Sequence, residues 1–376
     1  MERYLAGQPI ALICQALGRS ESWFYKWLVR YRSEAPDWFE PRSRAPHAQP
    51  DRTLEEIEQI VAFTRLCLYN RGVFCGAQAI RWELESQAVH PLPSLRTINR
   101  ILSRHDLTHR RTGAYQPKGK LYPALEARRA NQVHQADFVG PCYLRAPLRF
   151  YSLNSVNLAS GRCGVQPLLG RASQQMIDGF WALWGRLGLP EVLQVDNEVV
   201  FYGSPAHPRN MGALIRLCLH QGVALWFIPP REPWRNGVVE KFNDHYRHKF
   251  LEQQSLADEA ALRQQSLGFE QRHNQQYRYS KLQGRTPAQA FEQNAVPLRY
   301  PPVEAAPRHP LHKPEQGQYH VVRFIRSDGQ LDVFGEKFLL PAQAHYEYVR
   351  GTIDVGQRQL KVYLHSQLIE EIAYDM

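Results

Sequence analysis

Pro229-Pro230-Arg231-Glu232-Pro233-Trp234-Arg235-Asn236-Gly237-Val238-Val239-Glu240-Lys241-Phe242-Asn243 is the stretch from which the rest of the chain is best read. Its prolines deny the segment a helix or strand interior and make it an extended turn. From Asn236 the spacing becomes helical and predicts a helix to about residue 252. Glu240 then lies one turn in, on the side of Asn236, Asn243 and Arg247. Just before the turn, Ala224 to Ile228 reads as a strand. The chain therefore leaves a strand end, crosses a proline turn and starts a helix that carries a carboxylate.

Reading backwards, strands and helices alternate. A helix is expected from Gly212 to Gln221, and a short strand from Glu191 to Val195 runs directly into Asp196. Met176, Ile177, Phe180, Leu183, Trp184 and Leu187 fall at helical spacing. Before that helix, three strands are predicted: Val133 to Gly140 through Asp137, Arg149 to Asn157, and Cys163 to Leu168. Strand, helix, strand in this order implies a crossover and a sheet with helices packed on it.

Asp137, Asp196 and Glu240 are the acids in this frame that call for an explanation. Asp137 sits mid-strand among Ala136, Phe138 and Val139, and Asp196 ends a strand at the edge where open α/β sheets bind ligands. Burying a lone carboxylate costs several kcal/mol unless a cation or donors compensate. Acids converging on a sheet edge point to a hard divalent metal such as Mg²⁺. Two such ions about 3.5–4 Å apart can activate a water or sugar hydroxyl and stabilise the leaving oxygen of a phosphoryl displacement. Taken singly, each acid reads more readily as a cap, a turn former or a surface charge than as a catalytic group.

His134-Gln135-Ala136-Asp137, Val195-Asp196-Asn197 and the quoted stretch through Asn243 together resemble the core of DDE-type insertion-sequence transposases with a retroviral-integrase-like catalytic domain. The resemblance spans roughly residues 130–290, and Arg285-Thr286-Pro287-Ala288-Gln289-Ala290-Phe291 resembles that domain's close. It implies an RNase H-like fold in which Asp137, Asp196 and Glu240 hold two Mg²⁺ (or Mn²⁺) ions. It also implies a DNA-holding role for Arg247, and positioning or phosphate contact by Asn197 and Lys241. The implied activity is strand cleavage followed by strand transfer, on double-stranded transposon ends and target DNA, by a homo-multimer assembled on DNA. The sequence departs from the pattern twice. Glu198 stands where these proteins usually have Gly, and the 43 residues between Asp196 and Glu240 exceed their usual interval. The excess has a home in the turn-forming Gly203 to Asn210. Glu198 could coordinate a metal, repel DNA or point outward.

Toward the N-terminus the sequence is helical and basic. Apolar residues at helical spacing from Pro9 to Leu17, a Gly18-Arg19-Ser20 break and a Ser20-capped helix from Glu21 to Arg32 form helix-turn-helix spacing, with Lys26 and Arg30 available to DNA. An ordinary helical hairpin with a solvated basic face fits these residues as well. Pro36 to Pro50 reads as a linker, followed by helices at Leu54 to Leu68 and Ala77 to Ser86. Ser94 then caps a third helix, to Arg104, with Leu95, Ile98 and Leu102 as its buried stripe. Its other face carries Arg96, Arg100 and Arg104, and that charge continues through Arg110 and Arg111 toward Lys118, Lys120, Arg128 and Arg129. Nine bases against two acids between residues 96 and 129 suit phosphate contact.

Toward the C-terminus, prolines from 297 to 314 make an extended linker. Tyr319 to Arg326 and Gln330 to Phe334, around Asp328-Gly329, predict a hairpin. Strands are expected at 336–340, 347–354, 359–364 and 368–373, which suggests a small SH3-like barrel or a structural cap on the core. The expected organisation is multidomain α + α/β + β. It comprises a helix-turn-helix module at 1–35, a second helical DNA-binding module at 52–112 and a basic linker at 113–130. An RNase H-like core at 131–295, a Pro-rich linker at 296–316 and a small β-barrel at 317–376 complete it.

Composition agrees. The 376 residues carry 46 Lys and Arg against 36 Asp and Glu, a net charge of +10, which suits a polyanionic partner. Six scattered cysteines form no CxxC pair, and no apolar run approaches the roughly 18 residues of a membrane helix. A cytoplasmic, bacterial, nucleoid-associated protein is expected. A transposase-derived DNA-binding regulator without catalysis, and an RNase H-like nuclease that cuts without joining, are the competing readings.

Overall fold

The computed structural model describes residues 1–33, 36, 38–40, 53–108, 121–144, 149–207, 209–254, 256–294 and 296–376. Arg110 and Arg111, residues 41–50 of the first Pro-rich stretch and 113–120 of the basic linker lie outside them. The chain forms two compact units, Met1–Leu54 and Glu55–Met376.

The first unit holds α1 (Glu2–Leu5), α2 (Ile10–Leu17) and α3 (Glu21–Arg32). Gly18 ends α2 in the left-handed conformation, at φ 62°, which costs a residue without Cβ nothing. Ser20 caps α3 by accepting the Trp23 N–H. Ile13, Cys14, Phe24 and Leu28 make its small core.

The second unit begins with α4 (Glu55–Asn70), α5 (Ala77–Ser86) and α6 (Leu95–Arg104). Ser94 caps α6 through the Thr97 N–H. The buried stripe of α6 is rotated from the expected one. Ile98, Ile101 and Leu102 are buried while Leu95 is 37% exposed, because the neighbouring α4 and α5 present Val61, Ile80 and Leu84 to that side.

Three strands follow: β1 (Val133–Tyr143), β2 (Arg149–Asn157) and β3 (Cys163–Leu168). Next come α7 (Ser173–Leu187), β4 (Val192–Val195), α8 (Val199–Tyr202), α9 (Ala213–His220) and β5 (Ala224–Phe227). A 3₁₀ turn at Pro233–Asn236 leads into α10 (Gly237–Tyr246), which passes into a π-turn at Arg247–Leu251. The remaining helices are α11 (Glu259–Gln276) and α12 (Pro287–Gln293). The C-terminal strands are β6 (Gln318–Phe324), β7 (Gln330–Val333), β8 (Glu336–Leu339), β9 (Tyr348–Asp354), β10 (Gln359–Leu364) and β11 (Gln367–Ala373).

β1, β2 and β3 are antiparallel neighbours, and β4 and β5 add in parallel on the other side of β1. The alternation of β2 explains the layering. Tyr151 and Leu153 pack with α7 and α9, whereas Phe150 and Val156 pack with Val239, Phe242 and Phe269 of α10 and α11. The sheet thus has helices on both faces, and the mixed α/β core is as expected.

The C-terminal strands depart from expectation. Nine strands form one sheet in the order β11-β10-β9-β6-β5-β4-β1-β2-β3, so 317–376 is not a closed barrel standing apart from the core. β6 lies parallel to β5, with Leu225, Trp226 and Phe227 opposite Tyr319, His320 and Val321. The reason is the open edge that β5 leaves, which β6 covers with buried Tyr319, Val321 and Val322. Nor do β6 and β7 make a hairpin across Asp328-Gly329. The other edge of β6 belongs to β9, and β7 pairs with β8 in a separate two-stranded sheet. The tight turn of that pair is Phe334-Gly335, both at positive φ, 54° and 103°. No helix among the described residues is long and apolar enough to cross a membrane.

Candidate active site

The parallel edge where β1 and β4 end their shared ladder is where two of the expected acids meet. Asp137 is two residues beyond Gln135, the last β1 residue paired with β4, and Asp196 directly follows β4. Glu240 comes from α10, whose first turn is bound to both strands by side-chain amides. Gln135 Oε1 accepts the N–H groups of Val238 and Val239 at 3.0 and 3.1 Å. Gln194 donates to the Arg235 carbonyl at 2.9 Å, and Asn236 donates to the Ala136 carbonyl at 3.1 Å. These bonds satisfy helix-start groups that would otherwise be orphaned, and they set α10 across β1.

Asp137 is held from two directions. One oxygen accepts its neighbour's N–H, from Phe138 at 2.8 Å, and the other accepts Asn243 Nδ2 at 2.9 Å. Asn243 is itself oriented by Asn154, which lies opposite Asp137 in the β1–β2 ladder and donates to it at 2.8 Å. Ser152 donates to Asn154 at 2.7 Å, so a chain of three polar side chains from β2 through α10 fixes the Asp137 carboxylate.

Burial, reinforced by the charge of Asp196 and then of Glu198 and Glu240, raises the Asp137 carboxyl to about 7. Asp196 is raised to about 6, chiefly by burial, with Glu198 and Glu240 adding to it and the Glu198 N–H working against it. Glu240 is raised by burial and by Asp244. The charges of Glu198 and Glu240 therefore act on both aspartates at this sheet edge. Among the described residues, no set of three His, Cys, Asp or Glu side chains is gathered closely enough to hold a metal ion as it stands. The donor chemistry nonetheless fits a hard divalent cation: half-buried carboxylates whose charged forms are disfavoured for want of positive charge.

Glu198, whose charge also acts on both aspartates, has a partner of its own. Its carboxylate accepts Arg171 Nη1 at 2.7 Å, and Arg171 also lies over the rings of Tyr151 and Phe138, at 4.9 and 5.8 Å. The pair gives the acid a local counter-charge. The Gly203 to Asn210 stretch lies between α8 and α9.

The other expected residues are scattered. Asn197 is spent inside the protein, donating to the Ile228 carbonyl and accepting Arg323 Nη2 at 3.0 Å. Lys241 is exposed on α10. Arg247 is exposed at the start of the π-turn, and its charge acts on Cys142, further along β1 than Asp137. In the helical elements, Lys26, Arg96 and Arg100 are exposed. Arg30 lies over the Trp27 ring at 4.7 Å. Arg104, its side chain half exposed, is bound to the largely buried Glu58 carboxylate at 2.5 Å. His134 and His245 take packing roles: burial lowers them to about 3 and about 4, so both are neutral.

Residues 221–287 match the family model described as the integrase core domain. The matched segment contains Glu240, Lys241 and Arg247, and neither aspartate. Among solved structures the chain is similar to the HTLV-2 integrase catalytic core domain in complex with magnesium. There 17% of residues are identical over 44% of this chain and 99% of that one, with a TM-score of 0.34. It is also similar to the simian T-cell lymphotropic virus intasome in complex with the PP2A regulatory subunit B56 gamma. That match is 15% identical, covering 78% of this chain and 88% of that one, with a TM-score of 0.38.

Proposed function

We propose that this chain, which carries an integrase core domain of the integrase/transposase-like superfamily, is a transposase that binds the terminal inverted repeats of a mobile DNA element and catalyses DNA cleavage and strand transfer. The observation that carries the reading is the placement of Asp137 and Asp196 at one sheet edge, with the charge of Glu240 on α10 acting on both, beside an integrase-core segment. In this reading the three carboxylates hold two Mg²⁺ or Mn²⁺ ions. When bound, such ions supply Lewis-acid activation of the attacking oxygen and stabilisation of the leaving one. The residues of the chain do the positioning. Asn243 and the Phe138 N–H keep Asp137 turned to the site, while the Glu198 N–H, which donates to Asp196 at 3.0 Å, does the same for its neighbour. Exposed Lys241 and Arg247 contact the phosphates of the donor strand, and Lys26, Arg30, Arg96 and Arg100 contact the element's ends. Two ends must be held at once, which calls for a homo-multimer assembled on DNA.

The test is cleavage and joining of an oligonucleotide from the element's own end, with native protein and Asp196→Asn, in Mg²⁺ and in Mn²⁺. Joining by the native protein that disappears in Asp196→Asn while DNA binding persists supports the transposase. Cleavage without joining favours a nuclease, and binding without chemistry favours a DNA-binding regulator.

A further inference from the structure

Arg323 is a deeply buried cation near the site, 6% exposed on β6, within the C-terminal segment expected to be a separate module. Among the described residues, the acceptors at hydrogen-bonding distance from its guanidinium are neutral. Nε donates to the Asp332 carbonyl at 2.8 Å, Nη1 to the Val322 carbonyl at 2.9 Å, and Nη2 to Asn197 Oδ1 at 3.0 Å. Nη1 also faces the Ile228 carbonyl, at 3.4 Å, and Asn197 donates to that same carbonyl. The Asp332 carboxylate accepts the Gly335 N–H at 3.0 Å and acts on the guanidinium through its charge, not through a hydrogen bond. Burying a guanidinium with no carboxylate in direct contact is expensive, as its lowered pKa reflects, and a plain hydrophobic side chain would fill the space at lower cost. What the arginine adds is geometry: a rigid fork that joins the β5 end, β6 and the residue after Asp196 in one network.

We propose that Arg323 is a positioning residue for Asp196, acting through Asn197 to hold the turn between β4 and α8, so that the C-terminal strands complete the catalytic edge. The proposal rests on the catalytic reading above for its effect on rate, but not for its effect on the turn. The Nη2 bond to Asn197 and the Ile228 carbonyl shared by both side chains leave the amide little freedom to rotate. The backbone of residue 197 leads directly into Asp196 on one side and Glu198 on the other.

Three variants of the full chain decide it: Arg323→Lys, which keeps the charge and loses the fork, Asn197→Ala, and the two combined. In single-turnover cleavage, each single variant should lose about tenfold or more in rate with DNA affinity unchanged, in keeping with the cost of misplacing a reacting group. The combined variant should be no slower than Asn197→Ala alone, because the arginine acts through the asparagine. Losses that multiply would overturn the proposal, since a purely structural arginine acts independently. Hydrogen exchange gives a readout free of activity. Amides across residues 196–202 should exchange faster in each variant, with 149–157 unchanged. Unaltered exchange at 196–202 in Asn197→Ala overturns the proposal even if Arg323→Lys does not fold. A native protein without cleavage would sink the catalytic reading while leaving the exchange experiment decisive for Arg323.

Discussion

Asp137 and Asp196 are acids whose protons are held more tightly in the folded chain than in the unfolded one. Their folded values of about 7 and about 6 lie above the roughly 4 of an unfolded aspartate, so between those limits the folded state binds the extra protons. By linkage, metal-free stability therefore falls as pH rises from 4 through 7, and the loss is complete above the folded values. Thermal melts at pH 5 and pH 8 should show this, and Asp137→Asn should flatten the difference while raising stability at pH 8 by about 1–3 kcal/mol. Mg²⁺ should act in the opposite direction. Its stabilising shift in Tm should grow from pH 5 to pH 8, since the cation favours the charged carboxylates; an equal shift at both pH values would argue that it binds elsewhere. A second residue-scale prediction concerns Asn243. Asn243→Ala removes the donor to Asp137 and leaves Asn154 without its acceptor, so cleavage should fall by about ten- to a hundredfold with end-DNA affinity retained.

At the scale of elements, the entry of α10 matters most, because the helix carries Glu240 and is aimed by amides on two strands. Gln135→Ala would orphan the Val238 and Val239 N–H groups, at a cost of about 1–3 kcal/mol in a denaturant melt. It should lower cleavage by more than it lowers DNA binding, and a stability loss with unchanged activity would show that the helix keeps its place without the cap. The sequence pattern located α10 and its neighbours well. Ser20 and Ser94 cap the helices they precede, and β2, β3 and α5 have the expected bounds. These signals are local: a hydroxyl before a helix, a period of two or of 3.6. Gln135 and Gln194 carried no such signal, since a glutamine in a strand declares its partner only when the helix it caps has been brought to it.

At the scale of the molecule, the continuous sheet predicts that the C-terminal strands cannot be removed cleanly. A chain ending at residue 316 would expose the β5 edge, with Leu225 and Phe227 beside it, and lose the Arg323 network. It should aggregate or unfold, as read by size-exclusion chromatography and circular dichroism. A monomeric folded product would instead support an independent β module. Removing residues 1–54 should leave the remaining unit folded with its main transition intact, because the chain divides compactly there.

The sequence by itself determined the α/β alternation, the helix caps and the three acids worth testing, because strand and helix periods and proline breaks are written within a few residues of one another. Only the tertiary structure decided which edges meet. Strand pairing joins residues far apart in the chain, so nothing local in Tyr319 to Phe324 revealed that these residues pair with β5 and not with the strand after Asp328-Gly329. The partners of the candidate site were hidden for the same reason. Arg171 neutralising Glu198, Asn154 orienting Asn243 and Arg323 reaching Asn197 are long-range hydrogen bonds, and their donors acquire meaning only when packing removes the water that would otherwise satisfy them.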